Sequence, residues 1–303
     1  MVFSAGIRYD RFVAELQKIR VERTFAAMIW NFSFSLVTGI VLCIILGYYA
    51  VYPRLPIILN RYFVSLAVLE ILTLAFDILS SWMDMNHSSF PVWLLYAVNM
   101  LFFILFVTRS YGMYAYTIAL VSTRGRAPQI YFRAGRILLV LFWLICLSSV
   151  VCGTVFFIDR DGYHSGTGYF LLYVQMFLFL IMGMYLVIRY RKVLSNVVFY
   201  GIVLAYAVLC AGGIFRYLFP AFLLMDMFYM IVVMILYITV ENADLYRESR
   251  TMSFDFQAFE QVVREHHNYG IWYHLIGVMP YNYNETRQIY GGVQIDGMLS
   301  QVG

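Results

Sequence analysis

Four ionisable residues stand inside apolar stretches of this chain, where charge is costly. Glu70 and Asp77 lie seven residues apart in the stretch 62–82, Arg109 interrupts 93–121, and Asp226 falls near the start of 222–240. An ionised side chain at bilayer depth costs about 2.5 kcal/mol or more, so each of these residues is a functional candidate by default. A spacing of seven is two helical turns and puts Glu70 and Asp77 on one face. A cavity lined by the two carboxylates and partly neutralised by Arg109 would suit a cationic or polar ligand. The competing reading places Asp77 and Asp226 near helix ends, hydrated at the outer interface, with Arg109 snorkelling inward.

Other reactive side chains carry less. His266, His267 and His274 are close in sequence. Adjacent histidines project to different faces, and no carboxylate or thiolate completes a metal-ligand spacing, so they read as solvated. Cys43, Cys146, Cys152 and Cys210 all fall in apolar runs without a Cys-x-x-Cys pair and read as packing thiols. The tyrosines at 111, 114 and 116 belong to interface belts and bundle packing, against the alternative of a stacking platform for a ligand. No motif calls for a cofactor, a metal or a nucleic acid.

The elements that must position these residues follow from composition. The chain is 62% hydrophobic and 13% charged, where soluble domains carry about a quarter charged residues. That excludes an ordinary water-soluble fold. About 20 apolar residues in helical form cross a hydrocarbon core of about 30 Å. Seven stretches qualify: 25–49, 62–82, 93–121, 137–158, 169–188, 197–218 and 222–240. The expected fold is an all-α polytopic membrane bundle of about seven transmembrane helices, followed by a short α/β cytoplasmic segment.

Orientation follows from the basic residues, because Lys and Arg resist translocation. One set of loops holds Arg54 and Arg61, then Arg124, Arg126, Arg133 and Arg136, then Arg189, Arg191 and Lys192; the alternate set holds few. The basic loops are therefore expected in the cytoplasm of a plasma-membrane protein, together with the carboxyl terminus. Seven spans then put the amino-terminal tail, 1–24, outside despite its five basic residues, and that tail reads either as an amphipathic interfacial helix or as a mobile segment.

After Val240 the composition becomes ordinary. Residues 241–250 have helix propensity and read as a helical connector. Ser253 is placed to cap a helix whose Phe256, Phe259 and Val263 share a face. Residues 271–279 have strand composition, closed by Pro280. A helical stretch follows near 285–289, Gly291 and Gly292 can end it, and Ile295, Leu299 and Val302 repeat at helical spacing.

Two motifs in this last segment carry a resemblance. Arg250-Thr251-Met252-Ser253-Phe254-Asp255-Phe256-Gln257-Ala258-Phe259 stands where a Leu-Thr-Gly-Leu-x-Asn-Arg-Arg-x-Phe opening would. Over 279–299, Gly291, Asp296 and Leu299 match the pattern Asp-x-Asp-x-Phe-Lys-x-Ile-Asn-Asp-x-x-Gly-His-x-x-Gly-Asp-x-x-Leu, with Tyr283 in place of the phenylalanine. The segment 251–303 thus resembles a degenerate, truncated start of the GGDEF domain of bacterial diguanylate cyclases, which make cyclic di-GMP from GTP with magnesium.

The resemblance implies a membrane-anchored signalling protein, and its departures imply a silent one. Met279 falls on the magnesium-binding aspartate, and a thioether is a poor ligand for a hard cation. Asn284 falls on the phosphate-contacting lysine, and Arg287 on the guanine-contacting asparagine. Asp296 alone keeps the residue type used against guanine, as a vestigial nucleotide position. The expectation is a membrane sensor without catalytic activity. It would use no cofactor and contact the lipid bilayer, take a small polar ligand in the bundle, and meet a second copy or a cyclase-like protein through its C-terminal segment. The alternatives are a small-molecule transporter or a seven-helix receptor.

Overall fold

The computed structural model describes residues 33–51, 54–124, 129–159, 162–219, 224–242, 247–248, 253–277 and 281–302. The amino-terminal tail 1–24 and the start of the first predicted span lie outside them. Seven apolar helices form the bundle: α1 (Ser33–Val51), α2 (Ile58–Met85), α3 (Val92–Arg124), α4 (Ile130–Cys152), α5 (Phe170–Arg189), α6 (Asn196–Leu218) and α7 (Met225–Thr239). The first six are long and apolar enough to cross a membrane. α7 has 15 residues, a rise of about 22 Å at 1.5 Å per residue.

The helix α3 is the hub. It packs against α2, α4 and α5, while α6 joins α5 to α7, and α7 closes back on α1 and α2. Aliphatic and aromatic side chains cover the outside of the bundle, among them Ile40, Leu144 and Ile181, as expected where lipid is the solvent. Inside, small residues let backbones approach. A methyl at Gly183 of α5 would sit 1.9 Å from Tyr206 Oη of α6, and that hydroxyl is already held 2.7 Å from Thr117 Oγ1 of α3. Three helices therefore meet at a position that only glycine fits.

Three sequence expectations are corrected. The fourth span does not run to Ile158. α4 stops at Cys152, where Gly153 takes a left-handed conformation at φ 62, and the apolar residues beyond it form a hairpin of β1 (Phe156–Asp159) and β2 (Gly162–Ser165). The two strands are antiparallel, with Phe156 opposite Ser165 and Asp159 opposite Gly162. Phe156 is buried against Tyr96 and Phe103 of α3, and Ile158 N donates to Tyr96 Oη at 3.1 Å. The hairpin thus plugs this end of the bundle.

The second correction concerns the connector. Within 241–250 the described residues are not helical; the chain turns after Thr239, and Arg247 pairs with Phe254 in an isolated antiparallel bridge. Tyr116 Oη (2.8 Å) and Tyr49 Oη (3.3 Å) both donate to the Glu241 carboxylate, which ties the chain to the bundle at the point where the helix ends.

The third concerns the strand expected over 271–279. Its described part, 271–277, is irregular, so the tail is helical rather than α/β among its described residues. A strand needs a neighbour to satisfy its backbone, and no second strand lies beside this stretch among the described residues. The tail comprises α8 (Phe256–Tyr269), α9 (Tyr283–Tyr290) and α10 (Gly292–Val302). α8 is capped by Asp255, whose Oδ1 accepts from Ala258 N at 2.8 Å, rather than by Ser253.

Candidate functional site

The intramembrane charges arrive on several helices, and the bundle brings them together. Glu70 and Asp77 lie on the inner face of α2, Arg109 near the middle of α3, and Asp226 in the first turn of α7. Arg109 Nη1 donates to Asp226 Oδ1 at 2.5 Å and to Glu70 Oε1 at 3.2 Å. The fifth member is Arg216 of α6, whose Nη2 stands 3.9 Å from Asp77 Oδ1. At that distance the pair is electrostatic rather than a hydrogen bond. None of the five residues is more than 6% exposed.

The surroundings hold Arg109 in place. Its guanidinium lies 4.3 Å from the ring centre of Tyr229 and 4.9 Å from that of Phe106, two cation–π contacts of a kind that strengthens when desolvated. Asp226 also sits at the N-terminal, partially positive end of α7. Arg216 is walled by Phe102, Phe103, Phe106, Tyr169, Leu172 and Tyr173 around a void of about 10 Å³. Several buried polar atoms here have no hydrogen-bond partner, namely Arg109 Nε, Ser110 Oγ, Asp226 Oδ2 and Tyr229 Oη.

A second set of polar contacts lies at the opposite end of α2 from Asp77. Glu265 of α8 is buried, and its Oε1 accepts from Ile58 N at 2.5 Å. Ile58 opens α2, so its amide has no intrahelical acceptor, and Glu265 supplies one from a distant part of the chain. Asn268 Nδ2 donates to Ser122 O near the end of α3 at 3.2 Å. α8 therefore grips the two helices that carry Glu70 and Arg109. Burial raises the Glu265 pKa above its ordinary value of 4.5, opposed by the Ile58 amide, His266 and Arg61. Beside this contact a cleft of about 520 Å³ opens between α8 and the ends of α6 and α7, lined by Ser195, Thr239, Gln257, Glu260 and Arg264 among others.

Glu70, Asp77, Arg109 and Asp226 thus meet at one place, while Asp296 lies apart, half-buried on α10. Among the described residues no group of three His, Cys, Asp or Glu side chains is gathered so as to hold a metal ion. The sequence reading did not single out Arg216 or Glu265. The position of Arg216 inside the apolar run 197–218 is a signal of the same kind as that of Arg109. Glu265 carried no signal, because its partner is a backbone amide more than two hundred residues away. No protein-family model, no curated protein and no solved structure matches this chain.

Proposed function

We propose that this chain is a plasma-membrane signalling protein, catalytically silent, in which the state of the buried charge cluster is coupled to the cytoplasmic segment through α8. The observation that carries this reading is the Glu265 contact on Ile58 N. Together with Asn268 it joins α8 to α2 and α3, the helices bridged at mid-depth by Glu70 and Arg109. A shift in the cluster that slides α2 against α3 would change the two points to which α8 is fixed.

Seven crossings are part of the proposal. They are supported by α7 running antiparallel to α6: Thr239, at the end of α7, packs on Gly201 near the start of α6, and Phe228 packs on Gly212 near the end of α6. Arg54, Arg191 and Lys192 in the connections, and Arg61 in the first turn of α2, lie at the α8 end, which argues for that end facing the cytoplasm. The segment 251–303 is read as a degenerate GGDEF-like relic on the spacing of its two motifs, with Asp296 as its vestigial nucleotide position. It is expected to meet a second copy or a cyclase-like partner and to make no cyclic di-GMP from GTP.

Hydrogen exchange on the reconstituted chain tests the coupling. Glu70→Gln keeps the side-chain shape and removes its charge, and it should speed exchange across α8 while the bundle helices stay protected. Unchanged α8 exchange in that variant overturns the coupling. A transporter for a small polar solute is the second reading, favoured by five charges buried between helices. Solute flux across vesicles that depends on Asp77 would replace signalling with transport.

A further inference from the structure

The cluster contains three carboxylates, Glu70, Asp77 and Asp226, but only two guanidiniums, Arg109 and Arg216. With every group ionised it would hold one unmatched negative charge in a site closed to water. The energetic cost of an uncompensated buried charge is normally relieved by neutralisation. The three carboxylates are not equivalent. Glu70 and Asp226 accept from Arg109, Asp226 at 2.5 Å, and Asp226 has the helix N-terminus behind it as well. Asp77 has only the 3.9 Å approach of Arg216, and the charge of Asp226 acts on it across the same buried site.

A second observation points to the same atom. Asp226 Oδ2 is buried without a donor. Two carboxylates that share a buried site repel unless one carries a proton, and a protonated one can donate to the other.

The geometry points to a proton-binding site in which Asp77 is held as the neutral acid and donates its proton to Asp226 Oδ2. The ligand is a single proton, and the two arginines then balance the charges of Glu70 and Asp226. The surrounding helices add no competing cation. α1 has no charged side chain among its described residues, α3 supplies Arg109, α6 supplies Arg216, and α7 supplies Asp226 and Tyr229. Toward the hairpin, Tyr169 and Tyr173 face Arg216, and Tyr163 feels the charges of both Asp84 and Arg216. Ser80 and Ser81 are buried on α2 between Asp77 and Asp84, so a polar track leads from the site toward that end. This inference goes beyond the signalling reading and holds or fails independently of it.

Infrared absorption of the full chain in lipid at neutral pH tests it, because a protonated carboxyl shows a C=O stretch that a carboxylate lacks. The expected result is a band that shifts in deuterium oxide, vanishes in Asp77→Asn, and persists in the control Asp84→Asn. Asp226→Asn gives a second route should Asp77→Asn not fold. Removing the charge of Asp226 leaves two carboxylates facing two arginines, so Asp77 should ionise and the band should again be lost. A wild-type spectrum without such a band, a band that survives both cluster variants, or a band that sodium ions abolish at constant pH would each overturn the proposal, the last by showing a metal-cation site in place of a proton site.

Discussion

The bundle and the tail treat polar and apolar side chains in opposite ways. Between the helices, five charged residues are hidden while leucine, isoleucine and valine line the outside. In the tail, Trp272 is 98% exposed and Tyr281 90%, and the buried side chains are few, Ala258, Glu265 and Ile295 among them. Association of the bundle helices gains little from the hydrophobic effect, because lipid is as apolar as their own side chains; shape and polar pairing hold them together. The tail faces the ordinary requirement of burying apolar surface, and its short helices bury little. What orders α8 is its grip on the bundle.

Breaking the bundle's side of this contrast should give the largest effect. Arg109→Leu leaves Glu70 and Asp226 facing each other without a cation. Removing one partner of a buried ion pair costs about 3 to 5 kcal/mol. Unfolding in detergent, followed by loss of helical signal, should show this drop, and Arg109→Lys should recover only part of it because a single ammonium cannot reproduce the planar guanidinium against two rings. A stability loss below about 1 kcal/mol in Arg109→Leu would mean that water reaches the cluster and that the burial is only apparent.

Packing comes next. Gly183→Ala places a methyl against a tyrosine hydroxyl that Thr117 already holds. Overpacking of this kind costs about 1 to 3 kcal/mol. The double variant with Tyr206→Phe should recover part of that loss by removing the clashing oxygen. No recovery would place the strain in the backbone of α5 rather than at the contact.

These two sites also mark the limits of what the sequence disclosed. Intramembrane charge is conspicuous, so Glu70, Asp77, Arg109 and Asp226 could be singled out from their setting, and the spacing of seven put the first two on one face. Pairing across helices is not a property of spacing. That Arg109 bridges Glu70 to Asp226, and that Arg216 belongs with them, required the helices to be packed. The hairpin was hidden because residues 151–158 are as apolar as the helix before them, and only the left-handed turn at Gly153 separates the two. The irregular stretch 271–277 shows the converse. β-branched and aromatic residues favour a strand only when a neighbouring strand is there to pair with.

A smaller effect tests the joint between the two regions. The raised pKa of Glu265 means that the docked state holds its proton more tightly than the free state. The stability this adds is fully present below the ordinary value of 4.5 and is lost as pH rises through the raised value. Exchange protection of α8, corrected for the intrinsic pH dependence of exchange, should therefore weaken across that window. Glu265→Gln should flatten the pH profile while its side-chain oxygen still accepts from Ile58 N. A profile identical to wild type would assign the pH dependence to another group.

The smallest expected effect lies in the tail. Trp272 is almost wholly exposed, and its neighbours Leu275 and Ile276 are exposed as well. A side chain that buries nothing has nothing to lose on truncation, and substitutions at such positions stay within about 0.5 kcal/mol. Trp272→Ala in the isolated, monomeric full chain should therefore leave unfolding unchanged, and residues 271–277 should exchange as fast as frayed ends. The same substitution becomes informative when the protein is returned to its membrane with its natural partners. If the tail meets a second copy or a cyclase-like protein through this apolar surface, the wild-type chain should gain protection over 271–277 and Trp272→Ala should abolish the gain. Strong protection of 271–277 in the monomer would dissolve the contrast between the two regions, because the tail would then have a core of its own.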